Sequence, residues 1–254
     1  MASTIKVNTL DTQSGTNVTI AAGKNISGAN TQYTVTGGAA DQVLATDGAG
    51  ALSWVGLAGF ASRTIYTTTP GSNWSRPAGI TKVIVECQGG GGGGANHPST
   101  EAQSGGGGGG GYAWKFIDVS SVTEAVITVG VAGAGNSGSA GGNGTETKWL
   151  DTSYGGSSTV IGGGGLGSPY SSQSIAGGGV ASGGDFHMNG ANGYNQKARM
   201  AGSSQLGRGG QNLHNSENPG SKSPGTGYGG GGGGVTGAQG SAGSAGIMIV
   251  WEFK

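Results

Sequence analysis

The chain has 254 residues, 62 of them glycine, and twelve Lys and Arg balance twelve Asp and Glu. No basic stripe interleaved with aromatics occurs, so the electrostatic footprint of a nucleic-acid binder is missing and no nucleic-acid partner is expected. Cys87 is the one cysteine, which excludes an intrachain disulfide framework or thiolate metal cage, and no stretch approaches the roughly 20 apolar residues that a membrane-spanning helix needs.

Taken in chain order, Met1 to Val7 lacks the apolar core of a signal peptide, so a soluble chain outside the Sec route is expected. Residues 1–60 hold short β-prone pieces at Thr4–Leu10, Asn17–Ile20, Gln32–Thr36 and Leu52–Val55, separated by Gly, Asn and Asp turn signals. Large apolar residues are few there, and about 60 residues lie near the lower size limit for a self-sufficient core. Burial must then come from partners, and a homotrimeric β-stalk is the expected solution.

A second unit is expected over residues 61–254. Its first strand carries Thr81, Val83, Val85 and Cys87 on one face, which makes Cys87 a buried small hydrophobe. Tyr112, Trp114 and Phe116 then alternate with Ala113, Lys115 and Ile117. Ala125, Ile127, Val129 and Val131 alternate with Val126 and Thr128. At the end, Ile247, Ile249, Trp251 and Phe253 alternate with Met248, Val250 and Glu252. These four strands are expected to form one small β-layer, with the aromatics engaged in cross-strand packing.

Three glycine runs, Gly89–Gly94, Gly105–Gly111 and Gly229–Gly234, lie next to these strands. Polyglycine has no side chain to bury and loses more backbone entropy on ordering than other sequence, so it is either disordered or locked by backbone hydrogen bonds. The framing by strands favours the second. Collagen's period of three in sequence is absent, but polyglycine can adopt a threefold polyproline II-like helix with about 3.1 Å rise, and such segments can pack side by side for want of any Cβ. The expected fold is mainly β: an elongated trimeric stalk followed by a glycine-rich β head in which polyglycine II helices can pack.

Polar loops interrupt the glycine: Ala95–Ser104, Leu166–Ile175, Asp185–Gln205 and Gln211–Tyr228 read as tips displayed by a rigid scaffold. Tyr154, Tyr170, Phe186, Tyr194 and Tyr228 sit in or beside them, where a ring stacks on a sugar or on another loop. Lys197, Arg199 and Arg208 lie in the tract 185–228, which carries a small positive excess suited to phosphate or acidic sugar. His187 and His214 complete this candidate receptor-binding set. Nearby asparagines, including Asn189 and Asn192, can hydrogen-bond sugar hydroxyls or occupy left-handed turn positions.

Chemistry beyond binding finds no support. Gly133-Ala-Gly-Asn-Ser-Gly138 matches a dinucleotide fingerprint, but Ser139 to Gly144 cannot start the helix that would receive a pyrophosphate, so a turn is expected. The histidines have no metal-ligand spacing, no acidic pair is marked as a glycosidase dyad, and no nucleophile elbow occurs. No enzyme activity, cofactor or metal is expected.

The segment Ala39-Ala-Asp-Gln-Val-Leu-Ala-Thr-Asp-Gly-Ala-Gly-Ala-Leu-Ser-Trp54-Val resembles a repeat-like segment of bacteriophage tail fibres, and Ser3 to Leu10 and Val18 to Lys24 are similar to the same stalks. Trp74 to Gly89, Gly105 to Tyr112, Val126 to Gly130 and Gly246 to Phe253 resemble the glycine-rich C-terminal domain of phage fibres. The resemblance implies a homotrimeric fibre in the virion tail. Its N-terminal segment would dock on the tail or on another fibre protein, and its distal head would bind a bacterial surface glycan or outer-membrane protein. A purely structural role as a head fibre, decoration or fibre-connecting protein is the alternative.

Overall fold

A computed structural model describes residues 42–46, 48–49, 52–56, 58–97, 105–152, 159–170, 175–194, 201–209, 223–236 and 239–254. The chain divides into two compact units, Met1–Leu57 and Ala58–Lys254. Among the described residues the fold is mainly β, with no helix and no closed barrel.

In the first unit, β1 (Gln42–Thr46) pairs antiparallel with β2 (Leu52–Gly56), in a register that sets Leu44 opposite Trp54. The expected strand at Leu52–Val55 is therefore present. Its partner β1 was read only as part of a fibre-like motif, because the tract Gln-Val-Leu-Ala-Thr does not alternate. The other expected stalk strands lie outside the described residues.

The second unit contains β3 (Phe60–Tyr66), β4 (Trp74–Ser75), β5 (Lys82–Gln88), β6 (Asn96–His97), β7 (Tyr112–Asp118), β8 (Glu124–Thr128), β9 (Thr147–Asp151) and β10 (Thr159–Gly162). After these come β11 (Phe186–Met188), β12 (Gly207–Arg208), β13 (Thr226–Gly227), β14 (Val235–Thr236) and β15 (Ile247–Phe253). A five-stranded antiparallel sheet has the order β11-β7-β5-β15-β3, and a four-stranded antiparallel sheet has the order β10-β9-β8-β4.

Alternation decides what these sheets bury. Val83, Val85 and Cys87 of β5, Ala113 and Ile117 of β7, and Met248 and Val250 of β15 form one inner face. Ala125 and Ile127 of β8, Trp149 of β9, Val160 of β10 and Trp74 of β4 form the other, and both belong to a single core. Fully buried side chains such as Val83, Met248 and Val250 each contribute roughly 1.5–3 kcal/mol relative to exposure. The Trp74 and Trp149 rings meet at 5.0 Å in a tilted pair. Trp74 Nε1–H also donates to buried Glu252 Oε1 at 2.8 Å, a polar tie between the two sheets.

Two expectations need correction or completion. The single four-stranded layer becomes two layers, because β8 pairs with β9 and β4 instead of joining β5, β7 and β15. Cys87 is buried as expected, and burial pushes its thiol pKa well above the ordinary value.

The glycine runs are ordered by backbone hydrogen bonds. Gly89 and Gly92 donate to Gly111 and Gly108; Gly90 and Gly93 donate to Thr145 and Gly142; Gly91 and Gly94 donate to Ser244 and Ser241, all at 2.8–3.0 Å. Direction thus repeats every third residue. Carbonyls follow the same rule: those of Gly90 and Gly93 accept from Gly165 and Ser168, those of Gly91 and Gly94 from Gly133 and Asn136, and that of Gly92 from Gly232. The run is surrounded by other chain segments, whereas a strand bonds only to neighbours in the plane of its sheet. The second run repeats the pattern, with Gly107 and Gly110 donating to Gly232 and Gly229, and Gly108 and Gly111 to Leu166 and Gly163.

Close approach is why glycine is needed. A Cβ built on any residue from Gly89 to Gly94 would lie closer than 3.0 Å to backbone of a neighbouring segment, a separation that real Cβ atoms essentially never show. The dinucleotide-like segment joins the same network through Gly133 and Asn136 and then turns at Gly138, where φ is 75°.

Side chains pin the register that glycine cannot encode. Thr147 Oγ1 donates to the Gln88 carbonyl at 2.6 Å and accepts from Gly130 N–H at 2.9 Å, fully buried. Thr147→Val keeps the shape and removes both bonds, so it is expected to destabilise the unit by about 2 kcal/mol, read from the urea midpoint. An unchanged midpoint would show that the hydroxyl pins nothing.

Candidate functional site

The sequence-derived candidates fall on several elements. Phe186 and His187 lie on β11, an edge strand rather than a loop, which pairs with β7 so that Phe186 is opposite Trp114 and His187 opposite Ala113. Tyr194 is 61% exposed and ends a segment held to the second glycine run by Gly109 N–H donating to Ala191 and Gly106 N–H donating to Tyr194. Tyr170 is partly exposed beside Pro169. Arg208 is exposed on β12, which pairs with β13, while Tyr228 is half-buried, its carbonyl accepting from Ser204 Oγ at 2.5 Å. Tyr154, Lys197, Arg199 and His214 lie outside the described residues.

The structure thus brings Arg208 and the Tyr228 backbone, whose N–H donates to the Leu206 carbonyl at 3.1 Å, near one another, and Arg208 with Ser203, Gln205, Leu206 and Thr226 lines a shallow depression of about 490 Å³. Phe186 belongs to the five-stranded sheet instead. Two asparagines are otherwise engaged: Asn189 Oδ1 accepts from Ala181 N–H at 3.0 Å and Asn192 Oδ1 from Gly178 N–H at 2.9 Å. Both amide oxygens pin the glycine network, a structural use of these asparagines.

Sequence reading overlooked the outer face of the five-stranded sheet. Register places Ile65, Ile249, Glu86, Trp114 and Phe186 in one cross-strand row and Arg63, Trp251, Ile84 and Phe116 in the next. Phe60 is 61% exposed, Ile65 and Phe116 46%, and Phe186 and Met188 44%. Phe60 packs against Trp251 and Phe253 with ring centroids 6.1 and 6.2 Å apart. The Arg63 guanidinium lies 5.1 Å from the Trp251 ring centre. The missed signal was that β7 and β15 are apolar on both faces, whereas an antiparallel strand with one solvated face alternates with polar residues. These side chains leave an apolar, aromatic-rich outer face on the five-stranded sheet.

At the centre of this face, Trp251 Nε1–H donates to Glu86 Oε1 at 2.7 Å and the Tyr112 hydroxyl donates to Glu86 Oε2 at 2.5 Å. Burial, the hydrogen bond to Glu86 and the Glu86 charge all push the Tyr112 pKa up, so the phenol stays a protonated donor through the neutral range. Among the described residues no group of three or more His, Cys, Asp or Glu is placed to hold a metal ion.

A family model described as a glycine-rich domain matches residues 66–251. Comparison with curated proteins gave no match.

Proposed function

We propose that this chain, which belongs to the glycine-rich domain family, is a virion tail-fibre protein that adheres to the bacterial host surface without catalysis. The observation that carries the reading is a platform built of backbone, with side chains such as Tyr170, Tyr194 and Arg208 carried at its margins. A backbone network fixes position without consuming side-chain chemistry, which leaves the marginal residues free to vary with the receptor. The runs are proposed to be packed polyglycine II helices, a reading supported by the three-residue period of their hydrogen bonds.

The homotrimeric stalk belongs to the same proposal. Val43, Leu44, Leu52 and Val55 of the β1–β2 hairpin are 36–64% exposed in a single chain, and an isolated two-stranded hairpin is at best marginally stable in water. Two further copies would cover those side chains. Three heads per fibre then multiply individually weak contacts to surface glycan or outer-membrane protein. The N-terminal segment is proposed to join the fibre to the tail or to another fibre protein.

Competition for adsorption tests the reading. Purified full-length protein is expected to block attachment of the particle that carries it to its host. A triple variant, Tyr170→Ser, Tyr194→Ser and Arg208→Ser, is expected to remain folded and to need at least about tenfold more protein for the same block, the result of losing about 1.4 kcal/mol of contact. Failure of the wild-type protein to block would make the head a structural cap, and release of oligosaccharide from host envelope would make it a depolymerase.

A further inference from the structure

Glu86 presents an unbalanced charge in an aromatic setting. It is half-buried on β5, between Ile249 of β15 and Trp114 of β7, and both of its oxygens accept from neutral donors, Trp251 and Tyr112. Among the described residues it forms no ion pair. A carboxylate offers about four lone-pair positions, so two remain after those bonds. A half-buried carboxylate with no ion-pair partner among the described residues is a place where a ligand can supply the opposite charge.

The space beside it has a matching shape. Ile84, Glu86, Tyr112, Trp114, Trp251 and Phe253 line a cavity of about 340 Å³, open to solvent. Because β15 and β7 flank β5, Trp251 and Trp114 rise from strands about 9.5 Å apart, offset along them so that Trp251 stands opposite Ile84 and Trp114 opposite Glu86. Aromatic rings attract cations through their negative faces. Two rings of this sheet already do so, Trp251 with Arg63 at 5.1 Å and Phe116 with Lys82 at 5.8 Å. Since the Tyr112 and Trp251 protons are committed to Glu86, the unused polar capacity of the cavity is acceptor capacity. An anionic ligand would meet the carboxylate's repulsion, and a purely apolar one would desolvate it further.

We propose that this slot binds an alkylammonium group, its charge on the Glu86 carboxylate and its methyl or methylene groups against Trp114 and Trp251. The site goes beyond the adhesion reading and does not depend on it, since none of its residues is a marginal side chain of the glycine network. The full chain, isotope-labelled, is titrated with choline, butylammonium, the uncharged choline isostere 3,3-dimethylbutan-1-ol and methyl α-glucoside, following the Trp251 indole N–H resonance. Choline or butylammonium is expected to shift that signal saturably in the millimolar range, and the isostere at least about tenfold more weakly. Tighter binding of butylammonium would show that N–H donation to Glu86 adds to ring contact, and tighter binding of choline that ring contact dominates. Both agree with the proposal. Glu86→Gln is expected to weaken the better ammonium at least about tenfold while leaving the rest of the spectrum in place. Equal response to choline and its isostere, no response to either ammonium, or a response to the glucoside alone would each overturn the assignment. The comparison of charged and uncharged probes uses wild-type protein, so it holds even if the variant misfolds.

Discussion

Gly92→Ala is expected to abolish folding of the Ala58–Lys254 unit, while Gly71→Ala is expected to change its stability by no more than about 0.5 kcal/mol. The two differ in what a methyl group would meet. At Gly92 it would overlap the Leu166 carbonyl and the Gly167 nitrogen, both backbone atoms; at Gly71 nothing lies within 4 Å. Overpacking an ordinary core costs typically about 1–3 kcal/mol because side chains move aside. Here the obstacle is a neighbouring main chain already bonded to others: Leu166 N–H donates to Gly177, and the Leu166 carbonyl accepts from Gly108. Relieving the overlap would break those bonds in turn. A loss of more than about 4 kcal/mol therefore follows, large enough to unfold a domain of ordinary stability. Circular dichroism and urea titration of both variants provide the check, and a Gly92→Ala protein of wild-type stability would refute the close packing.

Gln88→Leu is expected to cost about 3–5 kcal/mol, the largest effect of any polar substitution in the unit. Gln88 is fully buried at the point where β5 passes into the first glycine run. Its Nε2 donates to the Gly110 and Gly111 carbonyls at 3.0 and 3.1 Å, with Gly89 O at 3.3 Å, and its Oε1 accepts from Leu206 N–H at 3.2 Å. One amide thus joins a sheet strand, the second glycine run and the segment entering β12. Leucine matches the volume but makes none of these bonds; the Gly111 carbonyl keeps its bond from Gly89 N–H, while the Gly110 carbonyl and Leu206 N–H lose theirs, each at about 1–3 kcal/mol. Differential scanning calorimetry should show a lower Tm with the fold retained. A Tm within a degree or so of wild type would mean that water replaces the amide, contrary to its full burial.

The parts of this fold that were legible in sequence are those where side chains carry information. Period-two alternation found β5, β7, β8 and β15 because each has one face that must be buried. It could not separate the two sheets, since alternation tells which residues share a face and not which layer that face belongs to. β9 escaped notice because Thr147 and Asp151, both polar, are buried with Trp149 on its inner face. The ordering of the glycine runs followed from their framing by strands, but their neighbours could not be read. A glycine run has no hydrophobic pattern to set register, and the residues that set it, Gln88, Thr147, Asn189 and Asn192, are isolated polar positions far apart in sequence.

The surface placement of some candidate residues was legible for the same reason. Exposed aromatics in glycine-rich tracts could be picked out, and Phe186, Tyr170 and Tyr194 are indeed exposed. Assigning Phe186 to a loop failed because three residues, Phe186–Met188, suffice to add an edge strand to β7. Glu86 was only one of several scattered acids until pairing placed it between two aromatic strands.

Hydrogen exchange of the glycine amides tests the central claim most directly. If the runs are held by backbone hydrogen bonds in three directions, every amide from Gly89 to Gly94 should exchange as slowly as the core amides of β5, with no alternation along the run. Exchange of these amides at unprotected rates, or protection at every second residue only, would contradict the account: the first would make the glycine a flexible linker, and the second would make it an ordinary edge strand.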